Sequence, residues 1–291
     1  MMVFITSVRH PRNSHSYGRI LSLLKASLES VCAQTDRDFK VIVIANQRDE
    51  IGFSHPNLEW LTVDFPPPSQ ETGPRTGHAA VRRDKGCKYA VGLCRARELT
   101  PNHVMFFDAD DFVHRGIAAF CNERKDANGW YVDRGHAWRS GSLIYGDVEH
   151  FYKWCGTCNI INFQLFDWPE TLSTGSSIDD IERSLGKEFV HTILGAHPFT
   201  VGYFAERGLP LAPLPFPAAV YLRGTNENHS GLSYGLVVRS WPKIVNRRFC
   251  TEFGINVDLG LGRKVRTFIL DWPLEVYRTF RYRKSVVQPP V

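Results

Sequence analysis

A chain of 291 residues, 43% hydrophobic and 22% charged, can bury a core in one or two domains and is not a disordered or low-complexity protein. Its net charge of +5 suits an anionic ligand but is too diffuse to indicate nucleic acid, so no nucleic-acid partner is expected. The most apolar late stretch, 209–222, is broken by Pro210, Pro213, Pro215 and Pro217, and no secretory signal or membrane span is read. Residues 3–8 form a short β-prone run, and His10 to Ser16 reads as a loop. Leu21, Leu24, Leu28 and Val31 recur at helical spacing. Phe39 to Ala45 is nearly continuously apolar, as expected of a parallel strand buried on both faces. Leu58 to Val63 reads as a third strand, stopped by Pro66, Pro67 and Pro68. From His78 to Leu99 a helical face carries Ala80, Cys87, Ala90, Val91 and Cys94, with Arg82, Arg83, Lys85 and Lys88 on the remainder. A fourth strand, 103–107, runs straight into Asp108, Ala109, Asp110 and Asp111.

That order of elements predicts an α/β domain with a mainly parallel sheet, whose ligands sit beyond the carboxyl ends of the strands. Beyond residue 115 the expected strands are 130–132, 142–145, 159–163 and 218–222, and the expected helices 179–187 and 198–207. Seven scattered cysteines, an odd number, fit a reducing compartment, so a cytoplasmic location is expected.

Three carboxylates in four residues repel one another unless cations or hydrogen-bond donors neutralise them. Hard divalent ions take oxygen ligands and are shared between protein carboxylates and substrate phosphates, so Mn²⁺ or Mg²⁺ is the expected cofactor. Asp108 and Asp110, two apart on extended chain, would point the same way. An acidic turn or a helix cap is the structural alternative.

At these residues the sequence resembles family 2 and related GT-A glycosyltransferases. Ser27 to Thr35 (SLESVCAQT) followed by residues 38–44 looks like their first helix, Q-T turn and second strand. Arg83 to Gly86 followed by Ala90 to Gly92 is similar to their A-R-N-x-G…A-x-G helix, and Phe106 to Asp111 to their F-x-D-x-D-D element. The resemblance covers roughly residues 3–115 and implies a GT-A fold: a Rossmann-like, mainly parallel central sheet flanked by helices. It implies a nucleotide diphosphate sugar donor and a saccharide or glycolipid acceptor, as in surface polysaccharide or glycolipid assembly. Asp108 would face the ribose side of the donor and Asp110 would hold the metal on the diphosphate, with Ala109 between them. Asp111 would orient that pair or meet the acceptor. Val8 and Arg9 after the first strand, Asn46 after the second, and Arg83 and Lys85 on the helix would line the nucleotide. A solvated helix face is the alternative for Arg83 and Lys85. Two positions depart from the family: Asn46 stands where an acidic residue meets the base, and Asp84 replaces the helix asparagine.

By spacing within the resemblance, His197, eleven residues before Gly208, falls where the family places its catalytic aspartate, and inversion is expected. Pro198 also suits a simple turn there, and Asp111, Asp179 and Asp180 are rival bases. His229 falls at the family's metal-proximal histidine and would be a third ligand; a backbone-bonded loop histidine is its alternative. Cys155 and Cys158 lack the second pair of a zinc site and the context of a redox motif, so they read as a turn near the acceptor. One GT-A domain over 1–230 is expected, with a nucleotide-sugar half (1–115) and an acceptor half (116–230). Residues 231–291 form an extension that either packs on it or, through its basic and aromatic residues, meets a membrane surface at the inner face. A nucleotidyltransferase and a non-catalytic sugar-nucleotide-binding module are the rival functions.

Overall fold

The computed structural model describes residues 1–71, 76–227, 242–260, 262, 267–274 and 276. Strands β1 (Met2–Ser7), β2 (Phe39–Ala45), β3 (Leu58–Thr62) and β4 (His103–Phe106) are parallel, in the spatial order β3, β2, β1, β4. The chain then crosses to a second sheet with β5 (Phe112–Val113) and returns with β6 (Gly129–Tyr131). Strands β7 (Arg134–Arg139) and β8 (Ile144–Glu149) are an antiparallel pair in the second sheet. Strand β9 (Asn159–Asn162) lies antiparallel between β4 and β6, and β10 (Ala212–Pro213) adds to the outer side of β6. Strands β11 (Ala219–Arg223) and β12 (Lys243–Ile244) complete the second sheet, ordered β12, β8, β7, β11, β5. The first sheet is therefore mainly parallel, with β9 reversed, as the sequence predicts.

Strands β1, β2 and β4 are buried on both faces because two helices cover them. On β1, Met2 and Phe4 pack with Leu24, Leu28 and Val31 of α1 (Tyr17–Val31), while Val3 and Ile5 pack with Cys87, Ala90 and Val91 of α2 (His78–Leu99). Alternate residues of one strand thus feed two cores, and each fully buried aliphatic side chain contributes about 1.5–3 kcal/mol. Gly92 lets α2 lie close to the sheet: a Cβ there would come within 2.5 Å of Ile5 Cγ2. The Ser16 hydroxyl caps α1 by accepting from the Arg19 amide.

Helices α3 (Ile117–Asn122), α4 (Ile178–Leu185), α5 (Thr200–Glu206) and α6 (Arg247–Glu252) are short. The helix expected from 198 divides into a tight turn, His197–Phe199, and α5, since Pro198 favours a first turn and forbids continuation through it. The strand expected at 142–145 starts later, at Ile144, because the Ser142 hydroxyl accepts the Ile144 amide in a turn. Within 242–260, β12 pairs with β8, and Phe249 and Phe253 join Trp138 and Phe112 in the core under the second sheet.

Candidate active site

Strand β4 ends at Phe106, the Phe107 amide donates to the Ile5 carbonyl, and the chain then turns, with the Asp111 amide donating to the Asp108 carbonyl. The acidic cluster is thus a turn, not the extended chain that spacing suggested. Asp108, Ala109 and Asp110 nevertheless all line one cleft of about 600 Å³, together with Val8, Arg9, Lys85 and His197 from the sequence-derived set. It opens beyond the carboxyl ends of β1 and β4, where a parallel α/β sheet places ligands.

Asp108 is held from three sides. Lys85 forms an ion pair with its carboxylate, the Thr157 hydroxyl accepts its amide at 2.9 Å, and Gly156 lies directly against it. A Cβ on Gly156 would stand 2.4 Å from Asp108 Oδ2, so only glycine permits this approach. Burial pushes the Asp108 carboxyl up, but the charge and hydrogen bond of Lys85 oppose it, and its pKa falls below the usual value. Burial and then the neighbouring Asp108 carboxylate raise the pKa of Asp110 to about 7, against the opposing pull of Arg9 and Lys85.

Asp111 is fully buried and does not line the cleft, so of its two expected roles, orienting the Asp108–Asp110 pair or meeting the acceptor, its position fits the first and not the second. Its carboxylate accepts the Thr157 hydroxyl at 2.6 Å, the Cys155 thiol at 2.9 Å and the Leu222 amide at 3.1 Å. Burial first, then Asp110 and Asp108, drive its pKa well up. Its work is positional: it ties the acidic turn to the 155–157 loop and to β11. Cys155 and Cys158 are free and buried, and Cys155 lines the cleft.

His197 also lines the cleft, as do Trp154 and Phe199. Its Nε2 is buried with no hydrogen-bond partner. Burial, then the charge of Lys85, lower its pKa to about 4 against the opposing pull of Asp108, so the ring is neutral at physiological pH.

Two sequence-derived residues lie elsewhere. Arg83 grips Glu182 through Nε at 2.6 Å and Nη2 at 2.8 Å, with Asp179 at 3.6 Å. Residues two apart on a helix project about 200° from each other, so Arg83 and Lys85 cannot both face the cleft. The Asn46 amide instead donates to the Phe65 carbonyl at 2.8 Å, bridging the chain ends beyond β2 and β3. Among the rival bases, Asp180 caps α4 with Ser177 and Asp179 is 80% exposed beside Arg83; neither lines the cleft. His229 lies outside the described residues.

Glu227 and Lys88 are contributions the sequence did not reveal. Glu227, 6% exposed, accepts the Ser16 amide at 2.6 Å and the His15 amide at 3.2 Å, and pairs with Arg9 at 3.2 Å. It fixes the Arg9 guanidinium at the cleft wall. Lys88, read in sequence only as one of the helix's basic residues, is fully buried and donates to the Val8 carbonyl at 2.9 Å and to Asp84 at 2.8 Å. The Asp84–Lys88 separation of four residues was the available signal, and burial of α2 on both sides turned it inward.

Among the described residues, no three His, Cys, Asp or Glu side chains converge as a ready metal cage. No protein-family model matches the chain, and no curated protein matches it. Among solved structures it is similar to S. aureus TarS 1–349, with TM-score 0.37 and 13% identity over 76% of this chain and 60% of that one. It is similar also to S. aureus TarS, with TM-score 0.38 and 15% identity over 76% of this chain and 36% of that one. The third is the glycosyltransferase GlyE in Streptococcus pneumoniae TIGR4, with TM-score 0.36 and 11% identity over 97% of this chain and 63% of that one. The chain thus spans less than two thirds of each of these, and likeness at such TM-scores carries no weight for function.

Proposed function

We propose that this chain transfers a glycosyl group from a nucleotide diphosphate sugar to a hydroxyl of a saccharide or glycolipid acceptor. The observation that carries this is that Asp108, Asp110, Lys85, Arg9 and a neutral His197 line one cleft at the carboxyl end of a parallel sheet. Resemblance of residues 3–115 to family 2 glycosyltransferases supports it, with Arg83 and Asn46 removed from the nucleotide site.

Asp110, with Asp108 beside it in the lining of the cleft, fits a hard divalent cation, because the donors are carboxylate oxygens. Two protein ligands leave the remaining positions to diphosphate oxygens and water, as Mg²⁺ sites commonly arrange. Bound there, Mn²⁺ or Mg²⁺ would supply neutralisation of the departing diphosphate. Lys85 and Arg9 hold positive charge toward the same anion, each kept in place by its own carboxylate partner. In the proposed step the acceptor oxygen attacks the anomeric carbon as the bond from that carbon to the diphosphate oxygen breaks. The diphosphate leaves with the electron pair, and the hydroxyl proton passes to His197 Nε2. A single displacement of this kind inverts the anomeric configuration.

The test is thermal unfolding with uridine or guanosine diphosphate, with and without Mn²⁺. A ligand at a hundred times its dissociation constant stabilises by about 2.7 kcal/mol. Stabilisation that requires the cation and vanishes in Asp110→Asn is the expected result. Cation-dependent stabilisation surviving in the variant would overturn the assignment.

A further inference from the structure

We infer that the helical turn Thr267–Asp271, with residues 272–274 after it, docks this protein on an anionic lipid surface. Ile269, Leu270 and Leu274 are 66%, 56% and 51% exposed, and among the described residues the one other large apolar side chain so exposed is Phe199, at 37%. Thr267 in the same turn is buried, while the apolar side chains of Ile269, Leu270 and Leu274 after it are exposed. Three such side chains within six residues form a patch, which soluble surfaces seldom carry without a partner.

Charge identifies the partner. Residues 263–284 contain seven basic residues (Arg263, Lys264, Arg266, Arg278, Arg281, Arg283 and Lys284) against two acidic ones (Asp271 and Glu275). That excess of five equals the net charge of the whole chain, so the other residues balance at 28 basic against 28 acidic. All the uncompensated positive charge in the sequence thus flanks the exposed apolar residues on both sides. Trp272, Tyr277, Phe280 and Tyr282 lie in the same stretch. Apolar residues to enter the acyl boundary, aromatic residues for the interface and basic residues for the headgroups together define an interfacial segment. No helix among the described residues is long and apolar enough to cross a membrane.

Vesicle co-sedimentation of the full chain tests this, using phosphatidylcholine alone and phosphatidylcholine with one third phosphatidylglycerol. Binding to the anionic vesicles, weakened at 0.5 M NaCl and absent on neutral ones, is expected. Each basic residue removed should weaken it about fivefold. The Ile269→Glu, Leu270→Glu, Leu274→Glu triple variant and the Arg278→Glu, Arg281→Glu double variant should each lose at least about tenfold. Both should keep the wild-type melting temperature and the cation-dependent nucleotide response. Equal binding to neutral vesicles, no binding, or unaltered binding by the triple variant would overturn the inference. So would a wild-type dimer that the triple variant turns into a monomer by size-exclusion chromatography, since a second copy would then occupy the patch.

Discussion

Two groups of side chains in the cleft are built to different rules. One is charged, with Arg9, Lys85 and Asp108 each fixed by a partner of opposite sign; the other is uncharged, with a neutral His197 whose Nε2 has no hydrogen-bond partner. A paired charge keeps its position before a ligand arrives, which is the preorganisation an anionic diphosphate needs. The lone pair of His197 Nε2 is unengaged, although burial and the charge of Lys85 hold the ring's pKa down to about 4. In the proposed reaction the first group binds the donor and the second activates the acceptor, while Asp111 behind the cleft ties the acidic turn to the 155–157 loop and to β11.

Three substitutions can break or sharpen that division. His197→Ala should lower turnover by about 10²–10⁴-fold, the usual size of a general-base contribution, while nucleotide affinity stays near wild type. Loss of nucleotide binding, or a product that retains the donor's configuration, would join the two groups into one binding surface.

Asp111→Ala should be felt beyond the acidic turn, because the thiol, hydroxyl and amide donors it satisfies come from the 155–157 loop and β11. A loss of about 3 kcal/mol in urea-unfolding stability is expected from leaving those donors buried without a partner. A loss below about 1 kcal/mol would mean that the turn is held in place by something else.

The smallest effect belongs to Glu182, outside the cleft. Arg83 and then burial compete over its pKa, with Arg83 and His191 prevailing to hold it at about 2, below the ordinary 4.5. A depressed carboxyl stabilises the fold above its unfolded pKa and loses that contribution as pH falls through its folded one. Glu182→Gln should therefore melt lower than wild type by about 1.5 kcal/mol at pH 6, a gap that closes between about pH 5 and pH 2. An unchanged gap at pH 2.5 would assign the effect to packing, and altered turnover would place Glu182 in the cleft.

The donor-binding group was the more legible in sequence, for a physical reason. β1, β2 and β4 are apolar runs buried on both faces, and α2 has the period of a helix, so its bounds, His78–Leu99, were read directly. Convergence at the cleft of Asp108, Ala109, Asp110, Lys85, Val8, Arg9 and His197 was also anticipated. Missing was the inward turn of charges: Lys88 was one basic residue among several on the helix and Glu227 carried no motif, because their partners, Val8 and Ser16, are remote in sequence. Arg83 was misplaced by attention to residue type over helical angle. Strand β7, Arg134–Arg139, was not foreseen, since its alternation mixes Arg, Gly and His with Ala and Trp.

The contacts of Asp111 also bear on the order in which the molecule takes shape. Its backbone carbonyl accepts the Ser27 hydroxyl, 84 residues away, and its side chain reaches Cys155, Thr157 and Leu222 at separations of 44, 46 and 111. Contacts of such sequence separation form slowly, because the entropy of closing each loop is lost before the contact is gained. The parallel strands β1, β2 and β4 are complete by residue 106, so a growing chain can collapse around them while the acidic turn still lacks its last donor. The amide of Leu222 must be synthesised before that turn is closed. The cleft is therefore a late product of folding, assembled on a sheet that precedes it.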